Sequence, residues 1–374
     1  MMTATEKQQL EPFLSNMQTY CVGRFLVDLP ASLIPDQSSF RVANVYTGHL
    51  DTETVIEVQP MNLVQFRMAL VKRKNELLTT LVANGKQPML IDTVPLQGKE
   101  GVIFDRVRSD VSELAQRTYE LWSFENGYAK RIIANHWDAT KLKDNSLDTK
   151  TNSQNVMQEL LGISNKISGR NNTEIPKEAG VCFMNGFMVG PSLAHESPEL
   201  SFHLMGLEDI TLSVVTDNRP SSGVTSYDAV DEEAKSGESI AKDKNGKFRI
   251  IRAAKLKTKS GVDLKEVLIE LPTDESYLDA ENKEHFVQGN SFVAESSHAD
   301  QLKLPYIKLT LSNGQRAYAR DVRDGDPVPL LQVVSKVNSR MDGKDLEKAS
   351  FSEAQTIALW NAILATLRVR SNGF

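Results

Sequence analysis

The stretch TYCVGRFLVDLP, residues 19–30, holds one of the chain's two cysteines, alternates in polarity and stops at a proline. Cys21, Gly23, Phe25, Val27 and Leu29 fall on one face of an extended chain, and Tyr20, Val22, Arg24, Leu26 and Asp28 on the other. A period of two predicts a strand buried on one side. Pro30 has no N–H to give to a ladder, so the strand is expected to end there. A second run, GVCFMNGFMVGP at residues 180–191, repeats the cysteine, the glycine, the apolar run and the closing proline. It reads as the opening of a second half built like the first.

Outward from these runs the chain follows one order twice. Residues 39–46 (SFRVANVY) and 52–58 (TETVIEV) read as strands around the turn-prone TGHLD. From 61 to 83 the period changes, and Leu63, Phe66, Leu70, Val71, Leu77, Leu78 and Leu81 share one helical face. Arg67, Lys72, Arg73, Lys74 and Glu76 lie mostly elsewhere, which predicts an amphipathic helix. Strand-like runs follow at 88–95, 101–107, 116–123 and 127–134, the last two around Asn126-Gly127, a strong hairpin signal. A helix is expected over 153–168.

GRNNTEIPKEAG (169–180) is polar, with Gly and Pro and few groups to bury, and marks a domain boundary. Beyond it strands are expected at 181–189, 200–206 and 210–216, then a helix at 226–236, then strands at 248–257, 262–271, 285–295 and 305–311. Asn313-Gly314 repeats the turn signal of Asn126-Gly127. Two helices are expected to finish the chain, at 328–341 and 352–369, the last with Ser352 as N-cap and Gln355 at the capping-box position. The fold class is therefore α+β: two tandem domains of similar architecture, each an antiparallel sheet with helices on one face. The expected division is a flexible segment at 1–18, an N-terminal domain at 19–170 and a C-terminal domain at 175–374.

At 374 residues the chain is too long for one ordinary core. Hydrophobic residues make up 40% and charged residues 25%, the balance of a globular protein. The net charge of −6 argues against nucleic acid, whose phosphates demand a basic surface. No apolar stretch approaches the roughly 18–20 residues that span a bilayer. The opening MMTATEKQQLEPFLSNMQ has no basic region followed by an apolar one, so it does not read as a signal peptide. Two readings of location remain: cytoplasmic if this N-terminus is native, exported if a leader has been removed. The cysteines also have two readings, as small buried apolar residues or as a Cys21–Cys182 bridge in an oxidising compartment.

Motifs of catalysis are missing. The nearest matches to a nucleophile elbow, GESIA around Ser239 and GNSFV around Ser291, lack the second glycine that the tight turn uses. Ser239 and Lys242 are three apart without the companion elements of a serine–lysine enzyme. The six histidines, 49, 136, 195, 203, 285 and 298, show no i,i+4 pair and no nearby cysteine run, so no zinc site is signalled. Neither glycine-rich phosphate motif occurs. DVRDGDPVP (321–329) lacks the ligand spacing of a calcium loop. No cofactor, metal or direct small-molecule substrate is expected.

Two acidic runs remain. One contains Asp231, Glu232 and Glu233; the other contains Asp274, Glu275, Asp279 and Glu281 around Tyr277 and Leu278. The plain reading is an exposed helix face and an exposed loop. The functional reading is a partner surface, the second run offering an apolar anchor with a charged rim.

YCVGRFLVDLP, the amphipathic helix after it, and IPKEAGVCFMNGFMVGP opening a second domain together resemble the type VI secretion immunity family that neutralises antibacterial lipase effectors of the fourth lipase class. The resemblance covers most of the chain and implies a claw-like pair of α+β domains that grips a lipase with an α/β-hydrolase core. It implies an inhibitor rather than an enzyme, periplasmic, blocking either the lipase lid or its active-site mouth. Two alternatives stand beside it: a serine hydrolase using Ser239 or Ser291, and a periplasmic adaptor without a toxin partner.

Overall fold

Gly23 turns the chain where the alternation alone predicts an unbroken strand. In the computed structural model, which describes residues 2–43, 53–82, 85–138, 153–193, 195–218, 249–296, 304–314 and 347–374, Gly23 takes φ +59°. A Cβ there would also collide with the Thr216 side chain. The run therefore folds into two strands, β1 (Met17–Val22) and β2 (Phe25–Pro30), with Val22 paired to Phe25. The second cysteine run does the same around Met184-Asn185, where Asn185 takes φ 55° and Phe183 pairs with Gly186. Alternation persists through a two-residue hairpin, which is why the pattern reads as one strand in each place.

After α1 (Ala4–Leu14) and the first hairpin come β3 (Leu33–Ala43), β4 (Glu53–Pro60), α2 (Leu63–Thr79), β5 (Leu81–Val82) and β6 (Gln87–Pro88). Next are β7 (Leu90–Pro95), β8 (Glu100–Val107), β9 (Gln116–Glu125), β10 (Tyr128–Trp137), α3 (Ser153–Lys166) and β11 (Ile167–Gly169). The later part holds the hairpin β12 (Gly180–Phe183) and β13 (Gly186–Val189), then β14 (Glu196–Leu204) and β15 (Leu207–Asp217). It ends with β16 (Arg249–Lys257), β17 (Asp263–Leu278), β18 (Glu284–Ser296), β19 (Tyr306–Asn313), α4 (Glu353–Leu364) and β20 (Arg368–Val369). The expected helices at 226–236 and 328–341 lie outside the described residues. The expected helix at 352–369 stops at Leu364, and the chain returns as β20.

The described residues form two compact units. Of the described residues, the terminal unit draws on 2–38, 198–218, 249–296, 304–314 and 347–374, and the central unit on those between 39 and 197. In the central unit the antiparallel order is β3-β4-β10-β9-β8-β7, and in the terminal unit it is β14-β15-β19-β18-β17-β16. Numbered along the chain, each order is 1-2-6-5-4-3. The hairpin expected at Asn126-Gly127 joins β9 to β10, both residues having positive φ, 50° and 81°.

The opening hairpins are exchanged. β1–β2 belongs to the terminal unit, where β2 pairs with β20; β12–β13 belongs to the central unit, where β13 pairs with β11. Each small sheet thus combines the hairpin that opens one half with the strand that closes the other. Val181, Phe183 and Met188 of β12–β13 pack with Phe40, Ile56, Leu121, Ile132 and Leu160 in one core of the central unit. Cys21 and Cys182 are fully buried, and both are disulfide-bonded.

The central sheet is covered on both faces rather than one. Val156, Leu160 and Ile163 of α3 pack with Ile103 and Leu121, while Phe66 and Leu77 of α2 pack with Phe104 and Trp122. Facing α2, Glu120 is fully buried and accepts hydrogen bonds from Arg73 Nε and Nη2 (both 2.9 Å), Arg106 Nε (2.8 Å) and Trp122 Nε1 (2.9 Å). Burial alone would raise its pKa; Arg106 and Arg73 outweigh that and hold the carboxyl well below the usual carboxylate range. In the terminal unit Glu266 is also fully buried and accepts from Arg252 Nε and Nη2 (2.6 and 3.0 Å) and from Trp360 Nε1 of α4 (2.6 Å). Replacing Arg106, buried like Glu120, is expected to cost about 3–5 kcal/mol, because the carboxylate is left under-compensated in the core.

The segment expected to be flexible, 1–18, contains α1. Thr3 and Glu6 form a capping box, Leu10 is buried, and Gln355 Nε2 donates to Glu6 O (3.1 Å) and Gln9 Oε1 (3.2 Å). The Phe13 and Phe351 rings meet edge-on at 5.6 Å.

The exchange makes the units differ from the sequence halves in what folds alone. A fragment of residues 39–197, carrying β12–β13, is expected to show cooperative thermal unfolding and dispersed amide spectra. A fragment of residues 19–170 lacks Val181, Phe183 and Met188 and is expected to show neither.

Candidate functional site

The second acidic run lies at the end of a long hairpin and not in a loop. Among the described residues, pairing of β16 with β17 stops at Arg249–Glu270, and pairing of β18 with β19 stops at Asn290–Asn313. β17 and β18 continue past both, with Leu271 paired to Gly289, Tyr277 to His285 and Leu278 to Glu284. They form a two-stranded arm whose described partners are only each other. The register shifts between Pro272 and Ser276, so Thr273, Asp274 and Glu275 make a bulge. A bulge bends and twists its strand and so re-aims the residues beyond it.

Asp279 builds the tip. Its Oδ1 accepts the backbone N–H groups of Glu281 and Lys283, both at 2.9 Å, and its Oδ2 lies 2.6 Å from His285 Nε2. The Lys283 N–H and then the His285 contact lower the Asp279 pKa from its ordinary value. Asn282 closes the turn at φ 61°, and Ser276 Oγ donates to Glu284 Oε1 at 2.6 Å. The register places Ser276, Leu278, Glu284 and Phe286 on one face. There Leu278 and Phe286 are 58% and 53% exposed, an apolar pair that the arm itself leaves uncovered.

The expected site residues sort accordingly. Leu278, Asp279 and Glu281 come together at the tip, with Tyr277 in register opposite His285 and Asp274 and Glu275 in the bulge. Asp279 shapes the turn. Asp231, Glu232 and Glu233 lie outside the described residues, as does Ser239. Phe286 was missed, since it sits in a run read only as a strand; its place opposite Ser276 comes from register, which the sequence does not display.

Nothing described assembles a catalytic group. Ser291 lies mid-strand in β18, opposite Ile269 and Ser312, and not on a strand-to-helix turn. A cavity of about 350 Å³ beside β16 and α4 is lined by residues such as Arg252, Leu256, Glu266 and Asn361, and by no serine or histidine. Among the described residues no group of three or more His, Cys, Asp or Glu could hold a metal ion, and no helix is long and apolar enough to cross a membrane.

Residues 18–170 match the family model of the Tle cognate immunity protein 4 N-terminal domain, and residues 174–372 that of its C-terminal domain. The chain belongs to this family: it is an immunity protein, not an enzyme. The fold is shared with the apo structure of immunity protein TplEi of the type VI secretion system from Pseudomonas aeruginosa, at 17% identity and TM-score 0.59, covering 95% of this chain and 97% of that one. It is shared equally with a structure of a Tle4–Tli4 complex, at 16% identity and TM-score 0.59, covering 95% and 98%. TplEi complexed with an "L" peptide is similar at 16% identity and TM-score 0.56, covering 95% and 99%. No curated protein sequence matches the chain.

The arm gives a direct prediction. Replacing Leu278 and Phe286 together by Ser, both already exposed, is expected to leave the melting temperature unchanged. The same change should weaken partner binding by more than about tenfold, as loss of an interface anchor does. Calorimetry on the variant and its parent measures both.

Proposed function

We propose that this chain binds a lipase effector of a type VI secretion system and inhibits it, protecting the producing cell. The observation that carries the proposal is the match of both halves to one immunity family. The chemistry of the arm supports it: exposed Leu278 and Phe286 with Glu281 and Glu284 at their rim offer an anchor and a charged border. Rim charge chiefly sets the rate of encounter and the choice of partner, whereas the anchor sets residence time.

Inhibition by holding a lid requires a difference in affinity. A ligand that binds closed and open lipase equally shifts nothing. The proposed action is therefore tighter binding to the closed lipase, or direct occlusion of its apolar mouth. Immunity against a catalytic toxin also demands slow release, because one free enzyme molecule turns over many lipids.

The proposed compartment is the periplasm. Disulfides persist in oxidising compartments, and both cysteines of this chain are in disulfide form. A single Cys21–Cys182 bridge would close a loop of more than about 100 residues, which stabilises a fold by roughly 2–5 kcal/mol.

Co-production of a type VI lipase effector, directed to the periplasm, tests the reading. The expected result is restored growth and a complex with a dissociation constant tighter than about micromolar. No rescue together with no complex would remove the function.

A further inference from the structure

Leu278 and Phe286 sit on a piece of structure that has little reason to hold its shape. Among the described residues, β17 and β18 beyond Leu271–Gly289 pair only with each other. A lone two-stranded ribbon is marginal in water. The bulge at residues 273–275 weakens this one further, because beyond it only Ser276–Phe286, Tyr277–His285 and Leu278–Glu284 are in register. Leu278 and Phe286 belong to that distal piece and are exposed, so packing does not fix them. Asp279 does. Its N–H donates to Lys283 O (3.1 Å), and its O accepts from the Asn282 N–H (3.0 Å). Its carboxylate takes the Glu281 and Lys283 N–H groups and meets the His285 ring. Asp279 follows Leu278 in the chain and His285 precedes Phe286, so the 2.6 Å contact between them ties the neighbours of both apolar residues. Successive strand residues point to opposite faces. His285 therefore lies on the face away from Phe286, and the tie leaves the apolar face open.

We propose that Asp279 and His285 are positioning residues of the lipase contact: they hold Leu278 and Phe286, before binding, in the arrangement that the effector meets. The inference rests on the reading that the arm binds a lipase effector. A contact that is ordered in advance binds more tightly, because less freedom is lost on association. If the tip is ordered only part of the time, the apparent dissociation constant rises by the inverse of that fraction, so a tip ordered about a tenth of the time binds about tenfold more weakly. Charge is the other role open to Asp279, as a rim carboxylate that attracts a basic partner. The geometry favours position. Oδ1 is taken by two N–H groups of the turn and Oδ2 by the ring, so both oxygens face groups of the arm itself.

The test uses the full chain and a type VI lipase effector, with amide exchange on the free chain measured beside binding kinetics. D279A is expected to retain the parental melting temperature, since the tip lies beyond the sheet. It should speed exchange of the Glu281 and Lys283 amides and weaken lipase binding, each by about tenfold, at low and high salt alike. D279N keeps an oxygen for those amides and a partner for the ring but carries no charge, and is expected to exchange and bind within about threefold of the parent. In an L278S/F286S background, D279A should weaken binding by less than about threefold, because it acts through side chains already removed. H285A leaves the main-chain bonds of the turn in place and is expected to weaken binding as D279A does; it decides the matter if D279A does not fold. Parental exchange or parental binding by D279A overturns the proposal, as does parental binding by H285A. Equal losses in D279A and D279N assign Asp279 to charge, and a D279A loss that persists in full without Leu278 and Phe286 assigns it to direct contact; either result overturns the proposal. All of these leave the proposed function standing. Failure of the parental chain to bind the effector overturns both.

Discussion

The structure depends on an exchange of hairpins. Each compact unit completes its core with the hairpin that opens the other half of the sequence, and each hairpin is extended by the strand that closes that unit. The requirement is local and severe. Gly23 must take positive φ where a Cβ would meet Thr216, and Gly186 lies where a Cβ would meet the Phe183 ring. Both cysteines sit in these hairpins, fully buried.

Around that constraint each unit solves the same problem of a wide sheet with a buried carboxylate. Glu120 on β9 and Glu266 on β17 each receive arginine and an indole N–H. The two strands hold different places in the repeated order. A carboxylate buried in a core is tolerable only because both of its oxygens have donors.

Much of the fold was legible. Periodicity located β4, β8, β9, β10, β15, β19, α2 and α3 to within a few residues, and Asn126-Gly127 fixed one turn. The hidden features were long-range. A two-residue turn preserves alternation, so TYCVGRFLVDLP and GVCFMNGFMVGP each looked like one strand. Helix α2 has apolar residues on more of its circumference than one face can bury, and a pattern does not say which stripe meets the sheet. The candidate site was half legible. Acidic composition drew attention to residues 274–281, but the part Asp279 plays in the turn and the place of Phe286 on Leu278's face needed the register.

The exchanged hairpins and buried carboxylates belong to the cores of the two units; the arm of β17–β18 leaves Leu278 and Phe286 exposed. Hydrogen–deuterium exchange on the free chain and on its complex with the lipase effector measures this division most directly. The account predicts new protection at residues 271–289, with the hairpins at 17–30 and 180–189 already slow in the free chain. Unchanged exchange at 271–289 in a saturated complex would contradict it.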